Sequence, residues 1–155
     1  TQRTARRELE FSFLGYEGTR LKELEYREIG ACRYKIVAST RIKTPMMNSF
    51  IGSREINDQN SPKLPTFDRL KRINKQIQIR YSANDLMAYK ALLLKGLGIG
   101  LLPELFIQKE IAQKKLKVLY PEMNLLFPMF AIHHGGYKLS PEAERMIEIC
   151  KTKFR

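Results

Sequence analysis

SANDLMAYKALLLKGLGIGLLP, residues 82–103, carries a helix, a turn and a strand in immediate succession. It opens on small polar residues. Ser82 or Asn84 is suited to capping exposed N–H groups, and Asp85 suits the positive first turn of a helix. An apolar run follows, with Leu86, Met87, Ala91, Leu92, Leu93 and Leu94 broken only by Tyr89 and Lys90. So apolar a helix is expected to be packed on two sides. Gly96 stands where a helix takes a left-handed stop. Ile99–Leu102 reads as a short buried strand that Pro103 ends. Helix, glycine turn and buried strand make half of an α/β layer.

Gly96, Gly98 and Gly100 do not form a nucleotide loop. A phosphate-cradling glycine loop follows a strand and opens a helix, whereas these glycines follow a helix and open a strand. Their spacing is G-x-G-x-G, without the later glycine of the dinucleotide fingerprint. A helix stop and close backbone packing account for them. The anion-binding end of the unit is expected at Ser82–Asp85, where N–H groups are free and side chains small.

Upstream, Leu9, Phe11 and Phe13 alternate with polar residues, the period of a strand with one buried face. Gly15 and Gly18 mark a turn after it. Leu24–Ala38 reads as a long strand region interrupted at Gly30, with Tyr34, Ile36 and Ala38 on one side. From Ser39 to Phe67 the pattern dissolves into loop residues, with one short strand at Phe50–Ile51. Ile73, Ile77, Ile79 and Tyr81 lead into the strand that feeds the central helix. Downstream, residues 103–115 form an amphipathic helix with Leu105, Phe106, Ile107 and Ile111 inward, and Leu116–Leu119 is a strand. Met129–Ile132 is another strand, released at Gly135–Gly136. The last helix has Ser140 as its cap, Pro141 in its first turn, and Ala143, Met146, Ile147, Cys150 and Phe154 on one face.

A chain of 155 residues, 43% hydrophobic, buries a real core. No apolar run approaches the roughly 20 residues of a membrane span. The N-terminus is polar and charged, unlike a secretory signal. Cys32 and Cys150 lie far apart without C-x-x-C spacing, which points to unpaired buried thiols in a reducing cytoplasm. The net charge of +12 raises the odds of contact with phosphate backbones. The densest basic run, Lys63–Arg80, has only Phe67 and Tyr81 for base stacking and reads as a solvated connector.

No residues point to catalysis. His133 and His134 are adjacent, so they face opposite ways on a strand and do not make a metal site. Ser39 and Ser82 lack a triad context, and no G-x-S-x-G occurs. Neither a metal nor a cofactor is expected.

KALLLKGLGIGLLPELFIQKEIAQKKLKVLYPE, residues 90–122, resembles the second half of the effector-binding domain of LysR-type transcriptional regulators. That family shows a helix, a G-x-G-[IV]-x-h-[LV]-P turn and strand (h meaning apolar), a helix, and a short strand. LEFSFLGYEG at 9–18 resembles its first strand, with Glu10 where aspartate is usual. YREIGACRYKIVAST at 26–40 resembles its crossover strand, and PMFAIHHGGYKLSPEAERMIEICK at 128–151 its return crossover and closing helix.

The resemblance implies an α/β, type II periplasmic-binding-protein-like fold: two Rossmann-like lobes joined by two crossover strands. It implies a partial lobe I at 1–27, lobe II at 28–127, and the return of lobe I at 128–155. The family's winged helix-turn-helix and the start of lobe I are not represented, so the first lobe is incomplete and DNA would be read by a domain absent from this chain. The implied effector is a small anion or carboxylate between the lobes, bordered by Gly15, Tyr16, Ser82, Ala83, Asn84, Ile99, Gly100 and Leu101. Its binding would alter packing in a cytoplasmic homodimer or higher oligomer, and thereby transcription. Two other functions fit the residues: a solute-binding domain of the same fold, or a basic nucleic-acid-binding module using Lys63–Arg80.

Overall fold

A computed structural model of the chain describes residues 2–15, 20–52, 70–83 and 85–153. Tyr16, Gly18, Asn84, Phe154 and the part of the basic run at 63–69 lie outside the described residues. In chain order the elements are α1 (Gln2–Ala5), β1 (Phe11–Leu14), β2 (Leu24–Ser39), a 3-10 turn (Thr44–Asn48), β3 (Ser49–Gly52), β4 (Gln78–Ser82), α2 (Leu86–Leu94), β5 (Ile99–Pro103), α3 (Glu104–Ala112), β6 (Leu116–Leu119), β7 (Leu125–His134) and α4 (Pro141–Lys153). They divide into two compact units, Thr1–Cys32 with Leu126–Arg155, and Arg33–Leu125.

In the first unit β1 pairs antiparallel with β7, Phe11 opposite His133 and Leu14 opposite Phe130. Side chains alternate across the sheet. Ala131 and Ile29 therefore pack with Leu139, Ala143 and Ile147, while Phe130, Ile132 and Leu24 meet Ala5, Leu14, Leu21 and Tyr26. The apolar face of α4 is narrower than expected, because Met146 is exposed. Its start is as the sequence implies: the Ser140 hydroxyl accepts the Ala143 N–H at 3.2 Å, with Pro141 in the first turn. Leu9 lies outside β1 and is exposed, as is Phe13. Gly30 does not interrupt β2. The strand runs through it for 16 residues, with Gly30 at φ +137°, a conformation that side-chain-bearing residues rarely adopt.

The second unit is organised on β3, which lies parallel to β4 on one side and β5 on the other. The far half of β2 runs antiparallel to both β5 and β6 and is flanked by them. That is why Ile36, Val37, Ala38 and Ser39 are all buried rather than alternating. Helices α2 and α3 cover this sheet through a core of Val37, Ile51, Tyr89, Leu93, Leu102, Ile107 and Leu116. Each large apolar member contributes on the order of 1.5–3 kcal/mol of burial.

Helix α2 departs from its expected packing. Only Tyr89 and Leu93 are buried, while Leu86 and Met87 stand 42% and 61% exposed. It packs on one side, along the i, i+4 line that Tyr89 and Leu93 define. Leu105 in α3 likewise points outward, 65% exposed, and leaves Phe106, Ile107 and Ile111 to face the core. The stop of α2 is a Schellman turn: Gly96 N–H donates to the Leu93 carbonyl, Leu97 N–H to the Leu92 carbonyl, and Gly96 has φ +76°. Gly98 then passes so close to β3 that an added Cβ would lie 2.2 Å from the Ser49 carbonyl oxygen.

Candidate functional site

Because β3 and β4 are parallel, their carboxyl ends stand side by side, with Gly52 in register with Ser82. Carboxyl ends of parallel strands are where open α/β sheets commonly border ligands. The chain leaves β4 through Ala83, whose N–H donates to the Gly52 carbonyl at 3.0 Å, and enters α2 directly. The cap of that helix is neither Ser82 nor Asn84. Ser82 belongs to β4, and Asp85 caps, its Oδ1 accepting the Ala88 N–H at 2.8 Å. Three good capping types within four residues are not separable by preference alone; pairing with Gly52 draws Ser82 into the strand and decides it.

This corner can do something definite. Leu86 and Met87, in the first turn, have N–H groups without an intrahelical partner. Ser82, at the end of β4, is exposed. The dipole favours an anion there, and the Asp85 carboxylate offsets part of that preference. Ala83 is half-buried against the core and supplies backbone rather than a reaching side chain.

Ile99, Gly100 and Leu101 sit on β5, tied to the same helix through Tyr89. The Tyr89 hydroxyl donates to the Ile51 carbonyl and accepts the Leu101 N–H at 3.0 Å. Gly100 makes room for it, since an added Cβ would lie 2.6 Å from that oxygen. The side chains of Ile99 and Leu101 are buried. Burial pushes the Tyr89 phenol well above the ordinary tyrosine range, so it stays protonated and able to donate. Gly15 lies in the first unit, just after β1 and beside Met129, and Tyr16 is outside the described residues. The structure thus brings Ser82 and Ala83 to the head of α2 and links Ile99–Leu101 to it through one phenol.

Sequence reasoning missed Tyr89, which looks like a polar break in an apolar run. It also missed the partner of Lys90. Lys90 Nζ lies 2.8 Å from Glu110 Oε1 and 4.2 Å from the centre of the Phe106 ring, with the two charged side chains only 16% and 14% exposed. The hydrogen bond from Lys90 holds the Glu110 carboxyl below the usual glutamate range. A carboxylate with a depressed folded pKa stabilises above its unfolded value and loses that contribution as pH falls through the folded one. Glu110→Gln is therefore expected to lower stability by about 1 kcal/mol at neutral pH. The gap in melting temperature should begin to close as pH falls through the ordinary glutamate pKa and vanish only below the depressed folded one. Paired thermal melts across pH check this.

Both histidines have partners close by in the chain. His133 Nδ1 lies 3.2 Å from the His134 carbonyl and its Nε2 3.6 Å from Glu25, while His134 Nδ1 lies 2.8 Å from the Gly135 carbonyl. Among the described residues no three His, Cys, Asp or Glu side chains are grouped to hold a metal ion. Cys32 and Cys150 are thiols, half-buried rather than buried, and burial pushes the Cys32 thiol up. Among the described residues no helix is long and apolar enough to cross a membrane.

A sequence profile of the family described as LysR substrate binding domain matches residues 2–155. No curated protein sequence matches the chain. Among solved structures it is similar to the regulatory domain of CrgA, a LysR-type transcriptional regulator from Neisseria meningitidis, with a TM-score of 0.69 and 16% identity over 99% of this chain and 79% of that one. It is also similar to the Synechocystis CcmR regulatory domain in complex with 2-PG, with a TM-score of 0.72 and 16% identity over 99% and 77% of the two chains. A third is the sulfate-bound OxyR2 E204G regulatory domain from Vibrio vulnificus, with a TM-score of 0.69 and 17% identity over 97% and 75%. At these identities the likeness is one of fold: mixed α/β, of the type II periplasmic-binding-protein-like kind.

Proposed function

Because the chain belongs to the LysR substrate binding domain family, we propose that it is the effector-binding regulatory part of a cytoplasmic transcription factor and takes a small anionic effector at the head of α2. The observation that supports the location is the meeting of three features at one corner of the second unit. These are the paired carboxyl ends Gly52 and Ser82, the exposure of Ser82, and the uncapped N–H groups of the first turn. Asn84 and the backbone of Ile99–Leu101 belong to the same proposed set. Two of the similar domains carry 2-PG and sulfate, and an anionic ligand class is the natural extension of the second to this chain.

Thermal melts against sulfate and small carboxylates, amino acids and aromatic acids test the reading. A ligand at a hundred times its dissociation constant adds about 2.7 kcal/mol to folding stability, a rise on the order of 5–10 °C for a chain of this size. Ser82→Trp, at an exposed strand end, should keep the melting temperature of the unliganded protein and abolish the rise. An undiminished rise in Ser82→Trp places the ligand elsewhere. Substitutions at Gly15 and Tyr16 ask the same question of the first unit.

The effector acts, in this reading, by changing how copies of the chain pack. Among the described residues β1 pairs with β7 alone and β4 with β3 alone, which leaves each an edge as a template for pairing. Light scattering with and without the identified ligand should show a shift in a dimer or larger oligomer. A monomer at every concentration, liganded or not, contradicts this part of the proposal.

A further inference from the structure

The amino ends of β3, β4 and β5 gather at the end of the second unit remote from Ser82, and the turns there are fastened to one another. Thr40, just past β2, donates its N–H to the Lys115 carbonyl at 3.1 Å and its hydroxyl to the Lys114 carbonyl at 3.0 Å. Gly96 lies against Ser39, where an added Cβ would stand 3.9 Å from the serine Cβ, so the α2–β5 turn abuts the β2 end. Asn48 donates to the side chain of Gln76 at 3.1 Å, joining the turn before β3 to the turn before β4.

These joined turns present Arg41, Lys43, Lys75, Lys95, Lys114 and Lys115, all exposed. None of the six is in an ion pair among the described residues. Elsewhere in the unit Lys90 pairs with Glu110, and Arg33 and Lys35 with Glu104. Asp85 and Glu104, at the heads of α2 and α3, lie away from these turns, and the Glu110 carboxylate is taken up by Lys90. The C-terminal dipoles of α2 and α3 explain a cation after each helix, at Lys95 and Lys114. They do not explain Arg41, Lys43 or Lys75, which follow a strand, precede a 3-10 turn and precede a strand.

We infer that this end of the second unit is a docking surface for the phosphate backbone of double-stranded DNA, independent of base sequence. Unpaired lysines and an arginine on a common edge are what neutralising a backbone requires. Beside these turns Ile73 is the one exposed large apolar side chain among the described residues, and no aromatic one is exposed there. A lone isoleucine is short of the apolar face that a bilayer surface takes up, and single strands find no stacking platform. The surface is separate from the proposed effector corner and does not depend on it.

The test is fluorescence anisotropy of the full 155-residue chain with a random-sequence DNA duplex over a range of salt concentrations. The expected result is binding whose logarithm falls linearly with the logarithm of salt, by about 0.9 for each phosphate contact. The triple variant Arg41→Glu, Lys95→Glu, Lys115→Glu should weaken binding at least about ten-fold and reduce the slope by about 2–3. The triple Lys138→Glu, Arg145→Glu, Lys153→Glu makes the same change of net charge on exposed residues of the first unit and should cost less than about three-fold at moderate salt, where screening acts over about 10 Å. The single Lys95→Gln variant, which adds no repulsion, should reduce the slope by about 1. Equal losses from the two triples, or an unaltered slope in Lys95→Gln, would overturn the inference. So would binding to phosphatidylserine vesicles without binding to the duplex.

Discussion

Replacing Gly98 by alanine is expected to destabilise the chain by about 3 kcal/mol, the upper part of the usual range for overpacking, and to lower its melting temperature by on the order of 10 °C. The added methyl would lie 2.2 Å from the Ser49 carbonyl oxygen and 3.0 Å from its carbonyl carbon. Those are backbone atoms of β3, so no rotamer change makes room. Relief requires β3 and the start of β5 to separate, and β3 is the strand on which β4 and β5 both depend. The φ of Gly98 is not in the left-handed region, which makes this a purely steric effect. Gly96→Ala separates the two causes. There the φ of +76° penalises the side chain while the nearest atom is 3.9 Å away, and the expected cost is only about 1 kcal/mol. Thermal or urea unfolding of both variants makes the comparison. Equal losses would mean that the Gly98 contact is absorbed by local movement.

Tyr89→Phe should cost about 2–4 kcal/mol, because one hydroxyl satisfies two buried backbone groups, and each orphaned group carries a penalty of about 1–3 kcal/mol. The Ile51 carbonyl would lose its donor, and the Leu101 N–H its acceptor. The phenol spans β3 and β5, so the loss should show first as faster amide exchange at Leu101 rather than at the ends of α2. Coupling with Gly100 gives a sharper check. An alanine Cβ at 100 would meet the Tyr89 oxygen at 2.6 Å and the adjacent ring carbon at 2.9 Å. Phenylalanine removes the first of these contacts and keeps the second. The Tyr89→Phe/Gly100→Ala double variant should therefore be more stable than the sum of the two single losses by about 1 kcal/mol or more. Strict additivity would show that the hydroxyl does not fill the space the glycine leaves.

Both residues show where local sequence is informative. Leu116–Leu119, the strand from Ile99, the glycine stop after α2 and the Ser140–Pro141 helix start are set by signals within a few residues of the element. Turn chemistry and capping act over that range, so the sequence displays them. The expectations that failed concern which face of an element is inward. Met87 and Leu105 are as apolar as their buried neighbours, and only the position of β3 and β5 beneath the helices turns Tyr89 and Ile107 in and those two out. Asp85 rather than Ser82 caps α2 because β4 reaches as far as Ser82, a long-range pairing invisible in the SAND segment. The candidate effector residues came from family resemblance, with small polar groups at a helix start as the one physical reason visible locally. The Lys90–Glu110 pair joins residues of two different helices and has no local signature.

The uneven placement of charge in the second unit has a mechanical result. Six exposed cations on the joined turns concentrate positive charge at one end of the unit. Near a polyanion such a body experiences a torque as well as an attraction, and it rotates into alignment before contact. In the inferred docking the lysine-bearing turns lead the approach, and the corner at Ser82 trails. A protein that docks in this orientation keeps that corner open to water, where a small molecule can still enter and leave.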